Sequence, residues 1–505
     1  MLCRYHLLPF DPALSSDALL AQIWSKSGDP VHRPGSGQWA EIVRHLNEIG
    51  TRTLLVQDHV RDPDFIDEYE AVYSKQYRDM DRFCVRVHAF SQDSGGPSNT
   101  EEAVLNFIDS APAPSYLGLV TLRPLRHAPI GATILVDSPQ ARTLCKDRFP
   151  VHIAGNKFEV LGTPYLQQDN AAGACAQASI WMALRTLRRR YGSAAFSPAE
   201  LTIAATRYTA FNRVFPGREG LTVEQMLAAI RATTGHDTLV IPLQERDPNT
   251  ANTFTNPFSV VERLQPYLES GIPVILLLKH PAGGHAVVAV GLAAGASNNN
   301  NVPPGLVVHN DNKGPYRVLP FSEPGGGYAL NHCVSALVPL PSGVLMPAKD
   351  AEKEAHNQLD FWRKALLKDQ GKRGLVASRH LWTRTYLCTR HAFREWAKLA
   401  GNLDPGVQRI YRATGMPPLV WVTEIHDPDI FDPADLSKAT RLGEIVFDAA
   451  ADALHGDALI YVRVSKQMLP FEAQHAGLLI VPDEAVLPLT TSEPTCGISE
   501  PWDHI

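Results

Sequence analysis

The feature that most limits what this chain can fold into is a change of period near residue 270. Before it, apolar residues recur at helical spacing. After it come three short apolar runs, 273–278, 285–291 and 305–309, each of strand length and bounded by glycine, proline or polar residues. Upstream, Ile180, Leu184, Leu187 and Tyr191 form one stripe of a helix that starts near Cys175. Ser197-Pro198-Ala199-Glu200 is a capping box with proline at the first helical position, and Thr222-Val223-Glu224-Gln225 repeats the cap. A helix over 259–269 then passes through Ser270-Gly271 into the first strand. Helices followed by a sheet give an α+β order.

A chain of 505 residues exceeds what one hydrophobic core serves, so several domains are expected. The pattern divides it into an α+β region at 1–154, a helix-then-sheet domain at 155–342 and a C-terminal α+β domain at 343–505. In the first, residues 62–73 have helical spacing with acids in the first turn, 83–90 alternates as a strand, and 115–125 reads as a strand stopped by Pro124. The Pro/Gly passage 339–343 precedes a charged helix at about 350–368. A helix at 389–400 and strands at 419–424, 444–448 and 458–464 follow, with 454–457 turning the last two into a hairpin.

A net charge of −6 over this length gives no footing for binding a phosphate backbone, so no nucleic-acid partner is expected. No run approaches the ~18 apolar residues that a bilayer span needs. The start lacks an apolar stretch with a small-residue cleavage site. Seven scattered cysteines, odd in number and without a Cys-x-x-Cys pair, argue against a disulfide framework or a zinc site, and suit a reducing cytoplasm. No cofactor is implied. His280, His285 and Asp311 lack the compact spacing of metal ligands. The glycines at 283, 284 and 291 bracket a strand instead of opening a helix, so they are no dinucleotide loop.

Three residues in chain order carry the chemistry. Cys175 stands at a helix start, where unpaired N–H groups and the helix field favour a thiolate. His285, after Gly283-Gly284, opens a strand and supplies an imidazole base. Asp311 ends another strand and supplies a carboxylate to orient the ring. Each has an ordinary structural reading alone: a packed cysteine, a strand histidine, a turn aspartate. Asn310 competes with Asp311, and because adjacent strand residues face opposite ways, one of the two is expected to point at His285. His309 shares the facing of Asp311 only if the strand continues. Gly325-Gly326-Gly327 reads as a turn near the cleft.

The segments 167–179, 284–291 and 306–311 together resemble the papain-like cysteine peptidases, most closely the bacteriocin-processing, C39-like branch, over residues 155–342. The resemblance implies a papain-like core, with Cys175 as nucleophile, His285 as base and Asp311 as orienting residue. It also implies an oxyanion-hole glutamine, Gln168 or Gln167, beside the Cys175 N–H. The sequence departs from that pattern in two places. Both glutamines lie farther upstream of the cysteine, and Ala176 replaces the glycine that commonly follows it. The expected activity is hydrolysis of peptide or isopeptide bonds in a protein substrate through a thioester, with amidase or transferase chemistry open to the same thiol. A non-catalytic scaffold is the rival. The long flanks offer surface for substrate recognition or a partner protein.

Overall fold

The computed structural model describes every residue except 1–3, 27–36, 78–79, 139–140, 170–174, 192–194, 208–219, 236, 248–251, 281–282, 294–304, 323–326, 369–381, 401–402, 427–439, 453–457, 465–466, 471–478, 481–486 and 489–505. The fold is mixed α+β, and its sheets are antiparallel. The chain divides into two compact units. The first comprises Met1–Pro257, Pro273–Ala293 and Gly305–Pro339; the second includes Phe258–Ile272 and Leu340–Ile505. The first unit therefore joins residues on both sides of position 154, while the helix Pro257–Glu269 falls largely in the second.

The first unit holds two large sheets. One runs in the order Tyr5–Pro9, Thr53–Val60, Cys84–Phe90, Tyr116–Leu122, Ile130–Val136, Asn156–Tyr165, Asp147–Ile153. Its strand Tyr116–Leu122 is buried throughout, and Gly118 is required there, since a Cβ would lie 2.2 Å from the Ile134 carbonyl oxygen. The hairpin of Asp147–Ile153 and Asn156–Tyr165 carries the chain to the edge of the site. The other sheet runs Gly314–Pro320, Gly305–Asn310, Gly283–Ala293, Val274–His280, Cys333–Pro339, Thr238–Pro242. The apolar runs after residue 270 thus form adjacent strands, as their period requires. The short strand Ala141–Thr143 joins the same sheet from upstream, pairing with Gly291–Ala293. Gly291 permits that approach, because a Cβ there would sit 2.2 Å from the Arg142 carbonyl.

The helix Cys175–Tyr191 packs against the Gly283–Ala293 and Val274–His280 strands of one sheet and the Asn156–Tyr165 strand of the other. Enclosed in this way, it is buried on every side along its first three turns, where Ile180, Trp181, Met182 and Ala183 lie, and Leu187 is buried as well. Two further helices, Pro198–Thr206 and Val223–Thr234, flank it, and both expected capping boxes form. The two sheets are tied through Tyr316. Its hydroxyl donates to the Leu135 carbonyl at 2.7 Å and accepts the Thr163 N–H at 3.0 Å. His45, from the helix Gly37–Glu48, stacks on the same ring and bonds the Val136 carbonyl at 2.8 Å.

The second unit is a meander in the order Trp382–Thr389, Leu419–His426, Thr440–Asp448, Leu459–Val464, Gln467–Pro470, Leu479–Ile480, with helices Arg390–Leu399 and Pro405–Ala413 packed through Phe393 and Tyr411. The expected 454–457 turn lies outside the described residues. Register aligns Arg384, Glu424, Glu444 and Arg463 in one cross-strand row. Arg441 bonds both glutamates at 2.8 Å, which offsets their mutual repulsion, and Glu269 caps Arg384 at 2.8 Å.

Two stability outcomes follow from these contacts. Tyr316→Phe leaves the buried Thr163 N–H without its acceptor, so denaturant unfolding should show a loss of about 1–3 kcal/mol. Glu444→Ala leaves Arg441 and Arg463 buried beside a vacancy, and the expected loss is about 3–5 kcal/mol. These arginines hold Glu444 at about 2, below its ordinary value. Its contribution should be complete above the ordinary carboxylate range and disappear as pH falls toward 2, measured as an acid-unfolding midpoint displaced in the variant.

Candidate active site

Cys175 begins the enclosed helix and is partly exposed, whereas the four other described cysteines, Cys84, Cys145, Cys333 and Cys388, are buried. The sulfur faces the histidine strand directly, since the backbone N–H of Ala286, the residue after His285, approaches it. The N–H groups of Ala176 and Cys175 itself also point to the sulfur, as a helix start provides. His285 and Cys175 thus belong to one unit and meet at one corner of it.

The imidazole of His285 is buried, and its Nε2 lies 3.1 Å from Asn310 Oδ1 and 3.4 Å from Asp311 Oδ1. Both neighbours therefore reach the ring, which corrects the expectation that only one of them would. The strand Gly305–Asn310 stops at the first of the pair, and strand alternation stops with it. Asn310 Oδ1 also accepts the Asn312 N–H at 3.0 Å, and the Lys313 N–H donates to the Asn310 carbonyl at 2.9 Å, so the chain turns and swings Asp311 to the same side. The preference for Asp311 over Asn310 as the hydrogen-bonding partner is not what the geometry gives. Asn310 makes that bond, and Asp311 stands beside it within ion-pair distance.

The first sheet and its helices hold this turn. Gln38 Nε2 donates to the Asp311 carbonyl at 3.1 Å, and the Tyr165 hydroxyl donates to the same oxygen at 3.3 Å. His309, fully buried, bonds the Pro164 carbonyl through Nδ1 at 3.1 Å, so it serves packing between the sheets. Gln167 is also engaged structurally. Its side-chain oxygen accepts the Ile130 N–H at 3.0 Å, and its carbonyl accepts from the buried Arg123 guanidinium at 2.9 Å. Gln168 is half-buried in the segment leading from that point toward the cysteine. Residues 170–174, including Gly173, lie outside the described residues, as do Gly325 and Gly326.

One site residue had no motif to announce it. Tyr328 stacks on the His285 ring, centroids 4.7 Å apart and planes 28° from parallel. Burial raises the pKa of its phenol, and the nearby Cys175 and Asp311 add to that rise. The only sequence signal was its place immediately after the glycine run 325–327.

The electrostatics are those of a dry corner. Burial, and secondarily the Asp311 charge, push the Cys175 thiol up to about 11 despite the three N–H groups aimed at the sulfur. The expected helix-start stabilisation of the thiolate is present but is outweighed, so the resting group is a thiol. Burial lowers His285, and the Asn310 bond only partly opposes it, so the resting ring is neutral. Asp311 is fully buried, with neither carboxylate oxygen in a hydrogen bond of normal geometry, and burial raises it to about 8. The N–H groups of Asp311 and Asn312 lean toward it and offset part of that rise.

No family model, curated protein or solved structure matches this chain. Among the described residues, no group of three or more His, Cys, Asp or Glu side chains is placed to hold a metal ion. No described helix is long and apolar enough to cross a membrane.

Between its ordinary value of 3.8 and about 8, the folded state holds a proton on Asp311 that the unfolded chain releases. Stability at this residue is thus full at low pH and falls as pH rises through that window. Asp311→Asn keeps the shape and abolishes the titration. Thermal melting from about pH 6 to about pH 9 should show the variant gaining on wild type as pH rises. A constant difference across the range would exclude a buried ionising carboxyl at this position.

Proposed function

We propose that this chain is a thiol-dependent hydrolase, a papain-like cysteine peptidase that cleaves peptide or isopeptide bonds in a protein substrate. One observation carries the reading. The partly exposed cysteine at a helix start faces the strand of a buried histidine whose Nε2 is bonded by Asn310, with Asp311 beside it. With Nε2 committed to those acceptors, Nδ1 is the nitrogen left to exchange a proton with the sulfur.

The chemistry follows from the resting protonation states. Sulfur attacks the carbonyl carbon as its proton passes to His285, so charge separation develops only with substrate present. The carbonyl oxygen becomes an oxyanion, for which the Cys175 N–H and the Gln168 amide are the proposed donors. The imidazolium returns its proton to the departing amine, leaving a thioester on Cys175. Water, deprotonated by His285, then attacks the thioester; the acid leaves and the thiol reforms. Replacing water by an amine would give a transferase with the same residues. Tyr328, over the ring, limits access of bulk water to the imidazole.

A second reading, a non-catalytic scaffold on the same core, is favoured by the thiol being held at about 11. The test separates them. Wild type and Cys175→Ala are incubated with proteins from the native cytoplasm, and new termini are read by mass spectrometry. Termini made only by wild type establish proteolysis. His285→Ala should lower turnover by ~10²–10⁴-fold, the usual worth of a positioned general base. An iodoacetamide-type probe should label Cys175 ahead of the buried cysteines. An inert Cys175 with no new termini would leave the scaffold.

A further inference from the structure

The thiol-hydrolase reading assumes one orienting residue for the base, yet a single ring nitrogen here has two candidates. We infer that the two act at different stages. Asn310 fixes the plane and tautomer of the resting imidazole, and Asp311 is the counter-charge that serves the ring once it is protonated. This deepens the proposed function and rests on it for the role of the ring.

Geometry separates the two roles. Asn310 Oδ1 is at hydrogen-bond distance from Nε2, 3.1 Å, and is itself fixed by the Asn312 N–H. An amide oxygen accepts only, so it selects the tautomer with the proton on Nε2 at any pH. Asp311 Oδ1 is farther, 3.4 Å, and neither carboxylate oxygen has a hydrogen-bond donor of normal geometry. An orienting carboxylate would be expected to take that bond in the resting state; Asp311 does not. Its backbone, however, is held rigidly by Gln38 and Tyr165 at the carbonyl, so the side chain is kept at the ring. A small shift of the imidazolium N–H toward Asp311 would form the stronger, charge-assisted bond.

The groups facing Asp311 from each neighbouring element are consistent with this. They are His285 on its strand, Cys175 on the helix, Tyr165 at the end of the first sheet and Tyr328 over the ring. None of these brings a fixed positive charge, so the carboxyl stays protonated to about pH 8. Protonation of His285, driven by substrate attack, supplies the missing cation, and Asp311 then ionises by giving its proton to solvent or enters the cycle already ionised at alkaline pH. The exchange is a proton movement only and needs no co-reactant.

The experiment is nitrogen NMR of the full chain carrying labelled histidine, with the His285 signal assigned by its loss in His285→Gln. Wild type should show the Nε2-protonated tautomer and an inflection of the ring signal near pH 8. Asp311→Asn should keep that tautomer and lose the inflection. Asn310→Ala should mix the tautomers and keep the inflection. Asn310→Asp, which retains both acceptor contacts, should keep the tautomer and stands in if the alanine variant does not fold. Loss of the tautomer in Asp311→Asn or Asn310→Asp, its survival in Asn310→Ala, or an unchanged inflection in Asp311→Asn would each overturn the division of roles. The ring signals need no turnover. A wild-type chain without alkylation or cleavage would therefore sink the hydrolase reading while the two-partner geometry is judged separately.

Discussion

The turn that follows Asn310 is the constraint on which the rest of the site depends. It breaks strand alternation so that two consecutive side chains reach one ring, and it delivers a fully buried carboxyl group there. Burying an ionised carboxylate costs several kcal/mol. Its attraction to an imidazolium 3.4 Å away is worth about 5 kcal/mol at an effective dielectric of about 20. The two magnitudes are of the same order, so an imidazolium at His285 would offset much of the cost of ionising Asp311.

The elements before residue 166 matter to that balance because of what they bring and what they withhold. Gln38 and Tyr165 grip the Asp311 carbonyl, and Tyr316 ties the strand after the turn to the first sheet. All are uncharged donors. They fix the position of the turn without supplying a cation that would ionise Asp311. An arginine at the place of Gln38 would hold the same carbonyl and would alter the charge of the corner. Arg317 and Arg123, on the same unit, are engaged by Glu41 and Glu68.

Much of this was legible in the sequence. The change of period at 270, the two capping boxes, and the spacing that set a cysteine at a helix start and a histidine on a strand each depend on local pattern, and each is found. What pattern could not carry was the joint use of Asn310 and Asp311. Alternation is a rule for strands, and whether the strand ends at 310 or 311 is decided by a side-chain bond to the next backbone. Tyr328 was hidden for a related reason, since a single aromatic after a glycine run has no period. The ionisation of Cys175 was misjudged because a helix start was visible and the surrounding burial was not. The helix Gly37–Glu48, with polar residues interspersed along it, gave no hint that it braces the turn.

The second unit shows that this chain is able to bury charge without leaving it unpaired. There, Arg384, Glu424, Glu444 and Arg463 lie in one cross-strand row, Arg441 and Glu269 join them by ion pairs, and the arginines hold Glu424 and Glu444 below the ordinary carboxylate range. Each of those groups has a partner of opposite charge within hydrogen-bond distance. Asp311 is the opposite case, a carboxyl equally enclosed whose pKa is raised by burial, with neither oxygen in a hydrogen bond to the described residues. Replacing it by an amide of the same shape would remove that cost locally. The cost would also fall if a cation formed beside it, and the side chain placed to become that cation is His285, 3.4 Å away.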